Sequence, residues 1–202
     1  MPNHCYNYLD LTVETKNRKA VAQLADFADN SLIIKKGFDT KVDDGSTLTF
    51  EGVLPMPKEL EYDSSLTKEE QKNKALANIE KHGHANWYDW RCAKWGTKWE
   101  PYDCNINELL RDSCCIGFDT AWGPPCAYYL ALSKKYPLLQ IYVEYEEPGM
   151  DFAGEQNYFN GELVNEVERS CGLHEYLQDS PSWFDRFYDT LEDDCYGSLE
   201  DF

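Results

Sequence analysis

The sequence predicts an α+β fold, a ferredoxin-like split βαβ sheet with helical insertions and an acidic C-terminal extension. Two observations support this: several segments alternate apolar and polar residues, and helix-capping residues lie between them. Their order is strand, helix, strand, insertion, strand, helix, strand, as in split βαβ folds. A chain of 202 residues, of which 42% are hydrophobic, is large enough to bury a core of its own.

The first predicted unit lies at the N-terminus. In residues 6–14 apolar side chains alternate with polar ones, which is the period of a half-buried strand. Apolar residues spaced by three and four predict a helix over about residues 17–29. A short second strand is predicted in STLTFEGVL, residues 46–54, ended by Pro55 and Pro57.

A helical insertion is predicted over about residues 58–100. Thr67 and Glu70 match a capping box that opens one helix. Asn86 matches the N-cap of a second helix, and Gly96 matches the left-handed residue that ends it. The second helix carries three of the four tryptophans in NWYDWRCAKWGTKW.

The second predicted βαβ unit follows the insertion. Alternation predicts a strand over residues 115–123, and Pro124–Pro125 then open a helix that ends near Tyr136. Residues 138–147 form the clearest predicted strand, because every second residue from Leu139 to Tyr145 is apolar. Asn160–Gly161 is a strong two-residue hairpin signal.

We take residues 1–163 as the ferredoxin-like domain and residues 164–202 as the acidic extension. Aromatic and apolar residues at helical spacing after Ser180 predict that part of the extension packs on the domain as an amphipathic helix.

The formal net charge of −18 is concentrated in the last third of the chain. Residues 1–143 carry 20 acids and 17 bases, whereas residues 144–202 carry 17 acids and only Arg169 and Arg186 as bases. Such a surface repels nucleic acid and acidic membranes, and it attracts basic proteins. We therefore expect a basic partner, no direct nucleic-acid binding and no membrane association.

The chain shows neither a signal peptide nor an apolar run long enough to span a membrane, so we expect a protein of the cytoplasm. Eight cysteines occur without a C-x-x-C pair, which argues against a zinc site, and we expect neither a metal nor a cofactor. His82, His84, Cys92 and Cys104 stay open as possible metal ligands. The sequence contains no nucleophile motif, P-loop or dinucleotide-binding glycine pattern, which favours a protein that is not an enzyme.

Four motifs are distinctive: MPNHCYN at the start, NWYDWRCAKWGTKW (86–99), FDTAWGPP (118–125) and YEEPGMDFAGE (145–155). They resemble motifs of the YubB-like (Api92-like) family of phage and plasmid proteins, which carry a ferredoxin-like domain. The family start is M-P-N-W-C-x-N, so His4 replaces a tryptophan. The resemblance implies a ferredoxin-like fold and a mobile-element origin, and it implies no reaction.

Together these observations predict a non-enzymatic phage or mobile-element protein that inhibits a basic, nucleic-acid-handling host defence protein. The type would be anti-CRISPR or anti-restriction, with an acidic surface that mimics nucleic acid. The predicted partner-binding residues are Asp185, Asp189, Glu192, Asp193, Asp194, Glu166 and Glu168.

An alternative prediction is a pocket that sequesters or modifies a small molecule or nucleotide. Its residues would be Trp87, Trp90, Trp95, Asp119 and Trp122. Single-strand binding by the tryptophan cluster is a third hypothesis, since bases stack on aromatic rings beside cations. Against both, tryptophan mostly buries its large apolar area, so we favour core packing for these rings.

Overall fold

The computed structural model describes residues 3–34 and 45–171, and a six-stranded antiparallel sheet forms its centre. In chain order the elements are β1 His4–Thr12, α1 Arg18–Ser31, β2 Leu32–Ile33, β3 Thr47–Leu48, α2 Lys68–His82, α3 Trp87–Lys94, β4 Tyr102–Leu109, β5 Ser113–Ala121, α4 Cys126–Lys135, β6 Gln140–Glu147, β7 Phe152–Phe159 and β8 Glu162–Arg169. The spatial order of the large sheet is β4-β5-β1-β6-β7-β8.

The predicted fold class is confirmed. The crossover β5–α4–β6 places two parallel strands on either side of β1, which is antiparallel to both. The elements β1-α1-β4-β5-α4-β6 thus follow the ferredoxin-like order, and the hairpin β7–β8 extends the sheet at one edge.

The core lies on the face of the sheet that α1 and α4 cover. Leu9 and Leu11 of β1 are fully buried there, together with Phe27 of α1 and Leu132 of α4. Each such side chain contributes about 1.5–3 kcal/mol through its removal from water. Alternation along β1 therefore determines which face packs against the helices.

The second strand of the ferredoxin-like unit is not the one that the sequence predicts. In STLTFEGVL only Thr47–Leu48 is extended, as half of a separate two-stranded sheet, and Phe50–Gly52 turns into a 3₁₀-helix. The turn forms because the buried Phe50 donates its N–H to the Glu100 carboxylate at 2.7 Å. Gly52 lies against Asn30, where a side chain would collide with the backbone of α1.

Strand β4 takes that place in the sheet, although the sequence does not predict a strand there. Two register shifts interrupt its pairing with β5, so buried and exposed residues do not alternate regularly along it. Its asparagines and aspartate are also poor strand formers. The segment between α1 and β4 is therefore the insertion, and it begins before the expected residue 58.

Capping signals in the sequence are accurate. Thr67 and Glu70 form the predicted capping box, and the side chain of Asn86 accepts the N–H of Asp89 at 3.0 Å. Asn160 and Gly161 both have positive φ, at 51° and 81°, which matches a type I′ hairpin turn. That turn starts β8 at Glu162, so the expected domain boundary at residue 163 falls inside a strand.

Candidate functional site

The large sheet is strongly acidic. Its strands contain one basic side chain that is always charged, Arg169, and eleven carboxylates: Asp10, Asp103, Glu108, Asp119, Glu144, Glu146, Glu147, Glu155, Glu162, Glu166 and Glu168. The charge asymmetry of the sequence is thus present in the folded sheet as well as in the C-terminal segment.

The edge strand β8 is the most accessible part of this acidic sheet. Residues 162–168 are exposed on both faces, and we call them the β8 edge surface. Val164 is 65% and Val167 46% exposed. Within the described residues β8 pairs only with β7, so its outer backbone edge is open to another strand.

The predicted residues Glu166 and Glu168 both lie on this surface, two positions apart and therefore on the same face of β8. Gln156 donates its side-chain N–H to Glu166 and thereby fixes that carboxylate. In the described part of the chain, neither Glu162 nor Glu168 has a basic partner within ion-pair distance. Their charge is therefore available to a partner.

A groove of about 380 Å³ lies where β8 meets the beginning of α4. Six of the side chains that line it could contact a ligand: Cys126, Tyr145, Phe152, Gln156, Glu166 and Glu168. The Tyr145 and Phe152 rings form an edge contact at 6.2 Å. Burial and the nearby Glu168 raise the pKa of Tyr145 above its ordinary value, so its hydroxyl stays protonated at neutral pH.

Carboxylates on the opposite face of the sheet are engaged within the fold. Tyr142 donates to Glu144 at 2.6 Å, and Glu144 is buried. Asp119 lies 3.7 Å from Nδ1 of His4, with its side chain 14% exposed. Burial, followed by the charge of Asp103, raises the pKa of Asp119 to about 6. These groups hold the sheet face together and offer little charge to solvent.

The five residues predicted for the alternative pocket do not share one of the described cavities. Trp95 is fully buried and Trp90 5% exposed, as the core-packing interpretation predicts, and their rings meet edge to face at 5.7 Å. Trp122 is 48% exposed, and Asp119 points to the other face of the sheet. Of the five predicted residues, only Trp87 lines one of the described cavities, a hollow of about 390 Å³ beside α2.

The remaining predicted residues have simpler placements. Asp185, Asp189, Glu192, Asp193 and Asp194 lie outside the described residues, as does the predicted C-terminal helix. Among the described residues no three His, Cys, Asp or Glu side chains are arranged to hold a metal ion, so His82, His84, Cys92 and Cys104 form no such group. Within that same part no helix has the length and apolarity needed to cross a membrane.

Three parts of the site are not predicted from the sequence: Tyr145, Gln156 and the apolar residues of β8. A usable signal exists for Tyr145, because it pairs with Gly154 across two strands joined by a short turn. A tyrosine opposite a glycine lays its ring over the neighbouring strand. No local pattern reveals Gln156, which depends on contacts across three elements.

Fold and site together define an α+β protein of ferredoxin-like topology with an acidic sheet edge. Residues 94–187 match the family model described as the ferredoxin-like domain in Api92-like protein. The chain is similar to the crystal structure of a protein api92 from Yersinia pseudotuberculosis, with 11% identity and a TM-score of 0.45 over 85% of this chain and 99% of that chain. No curated protein matches the sequence.

Proposed function

We propose that this protein is a non-enzymatic binding protein that captures a basic, nucleic-acid-handling protein through the β8 edge surface. The observation that carries the proposal is the combination on one open strand of three exposed carboxylates and three exposed apolar side chains. The carboxylates are Glu162, Glu166 and Glu168, and the apolar residues are Leu163, Val164 and Val167.

Each part of this surface supplies a different term in binding. The carboxylates attract a positively charged partner over a Debye length, which raises the association rate. The apolar side chains and the open backbone edge supply short-range contacts, as in partners that add a strand to a sheet. Charge mainly raises the rate of association and adds little to affinity. The exposed valines supply short-range contacts, and they distinguish this strand from an acidic surface that serves only solubility.

The finer proposal is that binding inhibits the partner. A groove that holds nucleic acid is basic, and a carboxylate-bearing strand competes with phosphate for it. The predicted carboxylates beyond residue 171 add to the negative charge of the chain that attracts such a partner. A partner from host defence, of the CRISPR-effector or restriction-nuclease type, and an origin in a phage or other mobile element rest on the motif resemblance.

The alternative function, small-molecule or nucleotide binding, has one supporting observation. The hollow beside α2 is walled by Trp87 and Tyr88, with Lys74 at its border. The side chain of Lys74 already donates to the Glu61 carbonyl at 2.8 Å, so the hollow lacks an uncommitted cation for a phosphate. The β8 edge surface is the better supported site.

A panel of purified CRISPR effector complexes and restriction nucleases tests the proposed function. We expect one member to bind the protein more weakly as salt increases and to lose affinity for its nucleic acid when the protein is present. Replacing Glu162, Glu166 and Glu168 by Gln should weaken binding about tenfold or more at low salt.

The matched control replaces three other exposed glutamates by Gln, Glu14, Glu69 and Glu80, and so makes the same change in net charge elsewhere. It should change the affinity by less than about threefold, because charges beyond a Debye length are screened. Equal losses for both triple variants, or binding that ignores salt, would contradict a role for the β8 edge surface.

A further inference from the structure

The groove between β8 and α4 is lined by a tyrosine, Tyr145, whose side chain is largely buried. Tyr145 is 4% exposed, and no other group in the described residues hydrogen-bonds to its phenolic oxygen. The ring reaches this position by crossing Gly154, where an added Cβ would lie 2.4 Å from the hydroxyl oxygen. A ligand in the groove that hydrogen-bonds to this hydroxyl would give it the partner that the fold does not supply.

Two carboxylates border the same groove. Glu166 is held in place by Gln156, whose own carbonyl oxygen accepts the Tyr158 hydroxyl at 2.8 Å. Glu168 has no partner in the described part of the chain. The Glu166 carboxylate is thus fixed before any ligand arrives, whereas the Glu168 side chain can adjust to the ligand.

The groove between β8 and α4 carries a net negative charge. The N-terminus of α4 borders the groove and contributes about half a positive charge. Two ionised carboxylates outweigh it, so the groove carries roughly one and a half negative charges. No lining residue of the groove is basic. An anionic ligand is therefore disfavoured and a cation favoured.

We propose that this groove binds the guanidinium group of an arginine side chain. A planar guanidinium donates in two directions at once, which suits the Glu166 and Glu168 carboxylates with the Tyr145 oxygen as a third acceptor. The Phe152 ring offers an apolar wall for the planar group. The ammonium group of lysine suits this arrangement less well. It is strongly hydrated, so entering the groove costs it more, and it has no planar face to stack on a ring.

The identity of the macromolecule that supplies the arginine rests on the proposed function, but recognition of the side chain does not. A basic partner would insert one arginine side chain into the groove, while a strand of that partner pairs with the open edge of β8 beside it. Arginine is also one of the residues that such partners use to contact phosphate, so its capture would compete directly with nucleic acid.

Nuclear magnetic resonance titration with N-acetyl-arginine methylamide tests the groove without any partner. We expect shifts of the backbone amide signals of Gly154, Glu166 and Glu168, with a dissociation constant on the order of 1 mM. The lysine derivative should bind about threefold or more weakly. The citrulline derivative, a neutral isostere of arginine, should leave these signals unchanged.

Two substitutions locate the binding. Glu168→Gln should weaken arginine binding about fivefold, and Tyr145→Phe about threefold. Tyr145→Phe removes only the unpartnered hydroxyl, so the variant should fold as well as the parent protein. Glu14→Gln is the matched control, because it makes the same charge change at an exposed glutamate outside the groove, and it should leave the affinity unchanged.

The proposal is overturned if the groove signals do not move, if citrulline or lysine binds as well as arginine, or if Glu168→Gln binds as the parent does. These results are independent of the search for a partner. A groove that binds arginine while every candidate nuclease fails would leave this inference standing and contradict the proposed function. A nuclease that binds the protein while the groove ignores arginine would support the proposed function and contradict this inference.

Discussion

The tryptophan-rich segment, residues 86–99, and the β8 edge surface differ in what the fold does with them. Trp95 is fully buried, and its indole N–H donates to the Leu54 carbonyl at 2.9 Å. The valines of β8 are 46% and 65% exposed, although valine is a residue type that is usually buried. The segment with the more unusual composition thus supports the fold, whereas an ordinary-looking strand at the sheet edge presents the surface.

This difference teaches where function is to be sought in a small α+β domain. Large aromatic residues close together are effective at filling space between a helix and a sheet, and Arg91 adds a cation–π contact 4.6 Å above the Trp95 ring. Exposed apolar residues on an open strand serve no such purpose and invite pairing.

The largest expected effect tests whether the tryptophan segment is structural. Trp95→Ala should lower the free energy of unfolding by about 3–5 kcal/mol, because it leaves a cavity and an unpaired Leu54 carbonyl. Trp99→Ala is the matched control, since Trp99 is 39% exposed, and it should cost less than about 1 kcal/mol. Urea denaturation measures both, and similar losses for the two variants would break the comparison.

A carboxylate inside the sheet should behave differently from those on β8. Because the pKa of Asp119 rises to about 6 in the folded protein, the folded state binds its proton more tightly than the unfolded state does. The free energy of unfolding should therefore fall as the pH rises from about 4 to about 6. Asp119→Asn removes this penalty and should stabilise the protein above pH 6 by about 1–3 kcal/mol.

Denaturation at a series of pH values measures the effect of Asp119→Asn. Glu168→Gln serves as its control, because Glu168 is exposed, and it should not reproduce the stabilisation. A parent protein whose stability stays constant between about pH 4 and pH 6 would show that Asp119 is solvated.

The smallest expected effect on stability belongs to β8. Each of Glu162→Gln, Glu166→Gln and Glu168→Gln should change the free energy of unfolding by less than about 0.5 kcal/mol, since exposed charges contribute little to folding. The same variants should weaken partner binding strongly, so stability and affinity would separate. A loss of stability near that of Trp95→Ala would instead make β8 a structural strand.

Much of the fold follows from local patterns. The alternation in β1, the capping box at Thr67 and Glu70, and the Asn160–Gly161 turn each depend on residues a few positions apart. Strand β4 cannot be predicted in this way, because two register shifts interrupt the alternation of buried and exposed residues along it. Nor can the turn at Phe50, because it depends on Glu100, fifty residues away.

The candidate site is less predictable than the fold. The charge excess in the sequence identifies Glu166 and Glu168 as candidates. It does not show that they differ from Glu144 in exposure to solvent. Glu144 occupies an inner strand and is buried, whereas the other two lie on the edge strand. All three occur in similar stretches of alternating acidic and apolar residues, so composition cannot separate them.

The sequence by itself determined the fold class, the caps and turns, and the excess of negative charge in the last third, because these properties depend on neighbouring residues or on simple sums. Only the tertiary structure decided which carboxylates face solvent. Strand order alone makes β6 an inner strand and β8 an edge. It also placed Tyr145 across Gly154 beside Glu166 and Glu168, since that meeting requires the register of three strands at once.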